Sequence, residues 1–243
     1  MRNKIVIFLL LTLFIFTAST SLIAQDYPIK YTDELGREIT IEKEVERIIT
    51  LAPGMTEVIY ALGLENKLVA VSSACDYPKE ALEKDDVGRI DEPNLEKIVA
   101  LEPDLVIAES VTKIESLNRL TELGIKNIGF KPNSINDTIN MIEDIANLTS
   151  AKKAGDKITA EMKNEYQNLK TLVEQQLEEN ERRRVFYEIW SDPLYTAGKG
   201  TFIDSLIADA GGYNIAREAE GSWPTYNLES LIAADPEVYI SSA

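Results

Sequence analysis

A fifteen-residue unit occurs twice in this chain, at 94–108 and again at 227–241, with six positions identical and most of the others conservatively replaced. Each copy opens Asn-Leu-Glu, at Asn94-Leu95-Glu96 and Asn227-Leu228-Glu229, and each has a glycine six residues ahead of its Asn, Gly88 and Gly221. Two widely separated copies do not make a solenoid, which needs a run of stacked repeats. They predict two similar lobes instead.

The unit has a definite physical grammar. Asn is a strong N-cap, because its side-chain oxygen takes up a free amide of the first helical turn. Leu95, Ile98, Val99 and Leu101 then recur at helical spacing. Pro103 cannot continue the helical hydrogen-bond ladder, and Leu105 to Ala108 is a short apolar run of the kind found in buried parallel strands. The second copy repeats the pattern through Leu231, Pro236 and Val238 to Ile240. Glu96 and Glu229 fall in the first helical turn of each copy, where a carboxylate suits the positive end of the helix dipole.

Around these units strand and helix patterns alternate. Residues 26–43 read as a hairpin turning at Gly36. Arg47 to Leu51 reads as a strand, followed by the turn Pro53-Gly54 and a short helix capped by Thr56. Leu68 to Val71 is a second strand, Lys113 to Leu123 a helix, Asn127 to Phe130 a strand and Ile135 to Leu148 a helix. Such alternation predicts a parallel sheet covered by helices. Ala151 to Arg184 contains no proline and carries a loose stripe of Ile158, Met162, Tyr166, Leu169, Leu172 and Leu177. It is expected to form one long helix, lying between the two copies of the repeat and so connecting the lobes. In the second lobe, Arg184 to Trp190 reads as a strand, Ser191 to Tyr195 as a loop, and Thr201 to Ala210 as a helix stopped by Gly211-Gly212. The fold class is therefore α/β, with two Rossmann-like lobes joined by a single long backbone helix and a ligand cleft between them. The expected divisions are a signal peptide at 1–24, an N-terminal lobe at 25–150, a connecting helix at 151–183 and a C-terminal lobe at 184–243. The last is short for a lobe with its own core, and a further helix-strand-helix portion is expected to belong to it.

Composition narrows the function. The net charge of −16 disfavours nucleic acid or an anionic membrane as partner. The chain has no histidine and one cysteine, Cys75, so histidine-based acid–base chemistry, an internal disulfide and free zinc or manganese as cargo are all disfavoured. Cys75 reads as a small packing residue. The leader has Arg2 and Lys4 ahead of the uncharged run Ile5 to Phe16, with cleavage expected after Ala24, so the protein is exported across the cytoplasmic membrane into the periplasmic or extracytoplasmic space. Gly198-Lys199-Gly200-Thr201 lacks the glycine spacing of a phosphate loop and reads as a turn before a helix. Carboxylate pairs are unavoidable among 41 acidic residues, and none stands in a setting that marks a hydrolase.

Loops leaving the carboxyl ends of parallel strands are where such folds bind ligands. Here they carry Pro53 and Met55, Ala74 and Tyr77, Arg89 and Ile90, then Trp190 and Tyr195, and Trp223. These nine residues are the candidate ligand contacts, with the aromatics offering an apolar wall with polar tips.

The same residues carry a resemblance. A leader, a hairpin with Asp33-x-x-Gly36-Arg37, Arg47-Ile48-Ile49-Thr50-Leu51-Ala52-Pro53 running into Thr56-Glu57, Asp76-Tyr77-Pro78, Asn94-Leu95-Glu96 with Pro103-Asp104-Leu105-Val106, and Ala210-Gly211-Gly212-Tyr213-Asn214-Ile215-Ala216 follow one another in order. The chain resembles the periplasmic binding proteins of ABC importers for vitamin B12 and ferric siderophores, over roughly residues 29–243. The resemblance implies a monomeric carrier that captures a corrinoid, or alternatively a ferric siderophore or haem. It implies delivery to a dimeric permease with its ATPase subunits, and no enzymatic turnover, against the remote alternative of a secreted hydrolase. No resident cofactor or metal site is implied; the ligand itself is a cobalt corrinoid or a ferric chelate. It further implies that Glu96 and Glu229 dock onto permease arginines. Trp223 matches a cleft tryptophan of the family and Tyr195 lies near a cleft aromatic, whereas Ala74 and Ile90 stand where the family has a tyrosine and a tryptophan.

Overall fold

A computed structural model describes residues 26–177 and 182–241; the leader read at 1–24 lies outside the described residues. The chain opens with a hairpin of β1 (Ile29–Thr32) and β2 (Glu38–Ile41). The first lobe is then built on β3 (Ile48–Thr50), β4 (Leu68–Val71), β5 (Asp85–Asp86), β6 (Leu105–Glu109) and β7 (Asn127–Phe130). They form one parallel sheet in the order β5-β4-β3-β6-β7.

Helices cover both faces of that sheet, as parallel strands require. They are α1 (Pro53–Ala61), α2 (Leu95–Ala100), α3 (Ile114–Glu122) and α4 (Ile135–Leu148). Successive strand side chains point to opposite faces. Ile48, Leu105 and Ile107 accordingly join one core with Val58 and Ile59 of α1 and Ile142 and Ile145 of α4. Ile49, Val106 and Ala108 join the other, with Ile98 of α2 and Leu117 and Leu120 of α3. The hairpin closes the β7 edge. Asp33, buried at its turn, accepts from the Gly129 amide at 2.9 Å, and Arg37 donates to Asn127.

The connector is α5 (Lys152–Gln176), a helix of 25 residues. Its first half grips the first lobe, where Gly155 lies against Ala146 of α4 and Lys163 pairs with Glu143. Its second half grips the second lobe, where the Tyr166 hydroxyl donates to Asp209 at 2.7 Å and Gly211 abuts Val173 and Leu177.

The second lobe comprises β8 (Arg184–Ser191), β9 (Leu194–Thr196), α6 (Phe202–Asp209), β10 (Tyr213–Asn214), α7 (Leu228–Ala234) and β11 (Val238–Ser241). β8 is central, with β10 and β11 parallel on either side and β9 antiparallel at its end. The expected loop at 191–195 is thus a hairpin. Asp192-Pro193 makes its turn, and Leu194-Tyr195-Thr196 satisfies its backbone against β8.

The duplication runs deeper than the fifteen residues. Gly88 and Gly221 both take positive φ, 90° and 89°, a region open to glycine at little cost. Glu102 and Asp235, at equivalent places after the two helices, also share a left-handed backbone, with φ of 45° and 46°. An arginine heading the strand beside each unit satisfies the carbonyls that end the helix. Arg47 donates to the Leu101 and Glu102 carbonyls, and Arg184 to that of Asp235. The covers differ. In the first copy Leu105 to Ala108 are fully buried between β3 and β7, whereas Val238, Tyr239 and Ile240 on β11 are 38%, 49% and 40% exposed. Among the described residues no strand lies on the outer side of β11.

One helix start differs from the sequence expectation. α1 begins at Pro53 rather than after Thr56. Proline suits the first helical position because its missing amide would have had no partner there, and the Thr56 hydroxyl instead meets Thr50 at 2.6 Å inside the core.

Candidate functional site

The second-lobe wall is assembled by local pairing. Trp190, near the end of β8, stands opposite Tyr195 of β9, and its indole N–H donates to the Asp192 carbonyl at 2.8 Å, fixing the ring on the hairpin turn. Residues 222–226 lie along the other side of β9. The Thr196 amide donates to the Pro224 carbonyl at 3.1 Å, the Gly198 amide to Ser222 at 2.8 Å, and the Tyr226 amide to Leu194 at 2.8 Å. This approach explains Gly198, where a Cβ would fall 2.4 Å from the Gly221 carbonyl oxygen. Trp190, Tyr195 and Trp223 therefore sit on three adjacent backbone segments and remain 63%, 37% and 55% exposed. Large aromatics are ordinarily well buried, so three left open on adjacent segments make this surface the candidate ligand wall.

The first-lobe wall is quieter. Pro53 is half-buried at the start of α1, and Ala74 is exposed in the loop after β4. Met55 does not line a cleft: its side chain is fully buried in the core under α1, because the helix begins at Pro53 and turns its third residue inward. Tyr77 is exposed, and with Pro78 borders a mainly apolar groove of about 760 Å³ between α1, α4 and α5. Cys75 is buried and receives a long hydrogen bond from the Thr56 hydroxyl at 3.2 Å, which fits its reading as a packing residue. Ile90 is half-buried against the core, its carbonyl taking the Thr112 hydroxyl at 2.8 Å.

Two cations on this wall are engaged, while Lys131, just past β7, is exposed and has no ion pair among the described residues. Arg89 clamps Asp91 through two hydrogen bonds of 2.8 and 2.7 Å, and this bonding holds the Asp91 carboxyl down at about 2. Lys113 pairs with Glu92. One acid that the sequence reading passed over stands among them. Glu109 ends β6, next to Phe130 of β7 in register, and its carboxyl lies over Gly54 at the start of α1. Burial alone pushes its pKa up. The sequence sign was available: it is the first charged residue after a fully apolar strand.

Glu96 and Glu229 occupy the first turns of α2 and α7, exposed, each beside its Asn cap. The Asn94 oxygen accepts from the Lys97 amide, and that of Asn227 from the Glu229 and Ser230 amides. Among the described residues no group of three or more metal-ligating side chains comes together, and no helix is long and apolar enough to cross a membrane.

Two α/β lobes on one rigid connecting helix, with exposed aromatics at the carboxyl end of a parallel sheet, define a two-lobed binding protein. The family model described as periplasmic binding protein matches residues 48–243, and the chain belongs to that family. Among similar proteins, the vitamin B12-binding protein of Vibrio cholerae is 33% identical over 198 residues, covering 81% of this chain and 70% of that one. An uncharacterized ABC transporter substrate-binding lipoprotein of Bacillus subtilis, YvrC, is 30% identical over 223 residues, covering 89% and 69%. The crystal structure of the periplasmic vitamin B12 binding protein BtuF of Vibrio cholerae superposes with a TM-score of 0.74 at 32% identity, over 82% of this chain and 76% of that one.

Proposed function

We propose that this protein is the extracytoplasmic substrate-binding component of an ABC importer, capturing cobalamin or a related corrinoid between its lobes and handing it to a permease. The observation that carries the reading is the trio Trp190, Tyr195 and Trp223, held open on adjacent strands. A broad, largely apolar macrocycle fills such a surface. An anionic ferric chelate or haem instead calls for free cations; Arg89 is already paired with Asp91, while Lys131 and Lys199 are exposed and free of ion pairs among the described residues, so it is the aromatics rather than a lack of cations that favour the corrinoid. The relatives named for vitamin B12 binding support the same choice.

In this reading the protein works as a monomer and catalyses nothing. It holds no resident cofactor, and cobalt arrives with the ligand. Glu96 and Glu229 present matching carboxylates, one per lobe, to basic residues of a dimeric permease with its ATPase subunits. Exposed ion pairs contribute only about 0–1 kcal/mol each, so they orient the docked complex more than they hold it.

The test is tryptophan fluorescence during titration with cyanocobalamin, corrected for ligand absorbance. Both tryptophans of the chain lie in the proposed wall. Saturable one-to-one quenching, weakened at least tenfold by Trp223→Ala, is expected. No saturation at micromolar cyanocobalamin, with saturation by haem or a ferric siderophore, would sink the corrinoid assignment.

A further inference from the structure

We infer that the Glu109 carboxyl is a specificity-determining residue of the cleft, accepting hydrogen bonds from uncharged N–H donors of the ligand and excluding ligands that place an anion there. The inference rests on the corrinoid reading and adds to it the chemical group that is recognised.

The position is the first argument. Glu109 is the last residue of β6, a central strand of the first-lobe sheet, so it stands at the carboxyl end where open α/β sheets bind ligands. Its carboxyl oxygen lies over the first turn of α1, 3.3 Å from where a Cβ on Gly54 would be. Glycine at 54 is what lets the acid fold in this close.

The second argument is what the carboxyl lacks. Two buried acids of the chain are satisfied: Asp33 takes bonds from Arg37, Leu35 and Gly129, and Asp204 from Asn214 and the Gly200 amide, whereas Glu109 is part-buried. Among the described residues the Glu109 carboxyl has no hydrogen-bond or ion-pair partner. Service as a helix cap does not explain it, because α1 has no side-chain cap and its free amides donate nothing to Glu109. The nearby cations do not answer it either: Arg89 is on Asp91 and Lys113 on Glu92, and Lys131, which follows the register partner Phe130, is exposed and makes no ion pair with Glu109. Desolvation disfavours the ionised form and raises the pKa, and the positive end of α1 beside the carboxyl offsets only part of that. The Glu109 carboxyl is part-buried rather than sealed, so solvent still reaches it, and a ligand that displaces that solvent has to supply the hydrogen bonds itself.

The third argument is the match. A corrin is edged with primary amides, which are uncharged N–H donors. An amide brought to Glu109 satisfies both groups at once, whereas a carboxylate brought there meets like charge in a partly desolvated site. A hydrogen bond to a charged group corresponds to a change of about tenfold to a hundredfold in affinity.

The experiment compares cyanocobalamin with its three separated monocarboxylic acids, each with one peripheral propionamide hydrolysed, at pH 8. The wild-type protein and Glu109→Gln are titrated by fluorescence, with far-UV circular dichroism confirming the fold. The wild type is expected to bind cyanocobalamin at least tenfold more tightly than at least one of the acids. Glu109→Gln is expected to bring that gap below about threefold. Equal affinity of the wild type for all four ligands, or a gap that survives Glu109→Gln, overturns the role of Glu109 and leaves the corrinoid reading standing. No binding of any of the four by the wild type overturns both. A variant that fails to fold overturns the claim that the carboxyl has no internal partner.

Discussion

Gly155 decides how the first lobe holds the connecting helix, and Gly155→Ala is the sharpest test of that packing. A Cβ built there falls 2.4 Å from the Ala146 Cβ across the α4–α5 contact. Carbon atoms rest at about 3.5–4.0 Å, so the helices must part by roughly 1 Å to admit a methyl group. Two effects oppose each other. Gly155 is the fourth residue of α5, so replacing it by alanine favours the helix by at most about 0.8–1.0 kcal/mol, the helix-interior value. Overpacking a tight contact costs about 1–3 kcal/mol. The gap of 2.4 Å is short enough that overpacking wins, and Gly155→Ala is expected to destabilise the protein by up to about 2 kcal/mol. Adding Ala146→Gly transfers the space to the other helix and should return most of the loss, giving a coupling of about 1–3 kcal/mol between two residues in contact. Urea unfolding of wild type, both single variants and the double variant, followed by far-UV circular dichroism, reads all four corners. If Gly155→Ala alone stabilises by about 1 kcal/mol and the two changes add without coupling, propensity has won and the close contact is wrong.

Three further outcomes are expected. Asp33→Ala strips the acceptor from the Arg37 guanidinium and from the Leu35, Arg37 and Gly129 amides; removing one side of such a buried pair should cost about 3–5 kcal/mol in urea unfolding, and a loss under about 1 kcal/mol would contradict the network. Glu96→Ala with Glu229→Ala should leave cyanocobalamin affinity within about twofold while weakening stimulation of the permease ATPase; equal loss in both assays would refute a docking role. Glu109 has its pKa raised by burial, so the folded state favours the protonated form, and the associated stability is present at low pH and lost as pH rises through the raised value. Glu109→Gln should therefore raise the melting temperature at pH 7.5 and leave it unchanged at pH 4; an equal shift at both would mean the carboxyl is not desolvated.

What was legible in the sequence was whatever a few neighbouring residues decide. Asn94 and Asn227 begin their helices as read, Gly124 ends α3 with φ of 81°, and 127–130 and 135–148 fall on β7 and α4 as expected. The misreadings sit where a distant partner decides. The strand at Leu194–Thr196 exists because β8 on one side and residues 222–226 on the other supply its hydrogen bonds, which no local pattern announces. Met55 is different: Pro53-Gly54 looks like a turn, yet the same proline starts a helix and sends Met55 into the core. At the site, Trp190 and Trp223 announce themselves by type. Glu109 does not, because its enclosure depends on a glycine in another element and on the absence of any cation to meet it.

The repeated unit also explains why two different lobes are able to present one chemistry twice. Among the described residues β6 lies between two strands and β11 beside one, so the surroundings of the copies differ widely. The devices that orient Glu96 and Glu229 are nonetheless local and shared: a glycine with φ near 90°, an Asn cap beside the acid, and an arginine holding the carbonyls at the far end of the helix. Each acid is fixed by its own short helix rather than by the lobe around it. A partner made of two like halves would then meet the same carboxylate in the same local frame on either side, and the spacing between the two is set by α5, which packs on both lobes, together with the contact of α4 with α6. On the docking role proposed above, a fixed separation is what would let two weak ion pairs cooperate in orienting the complex.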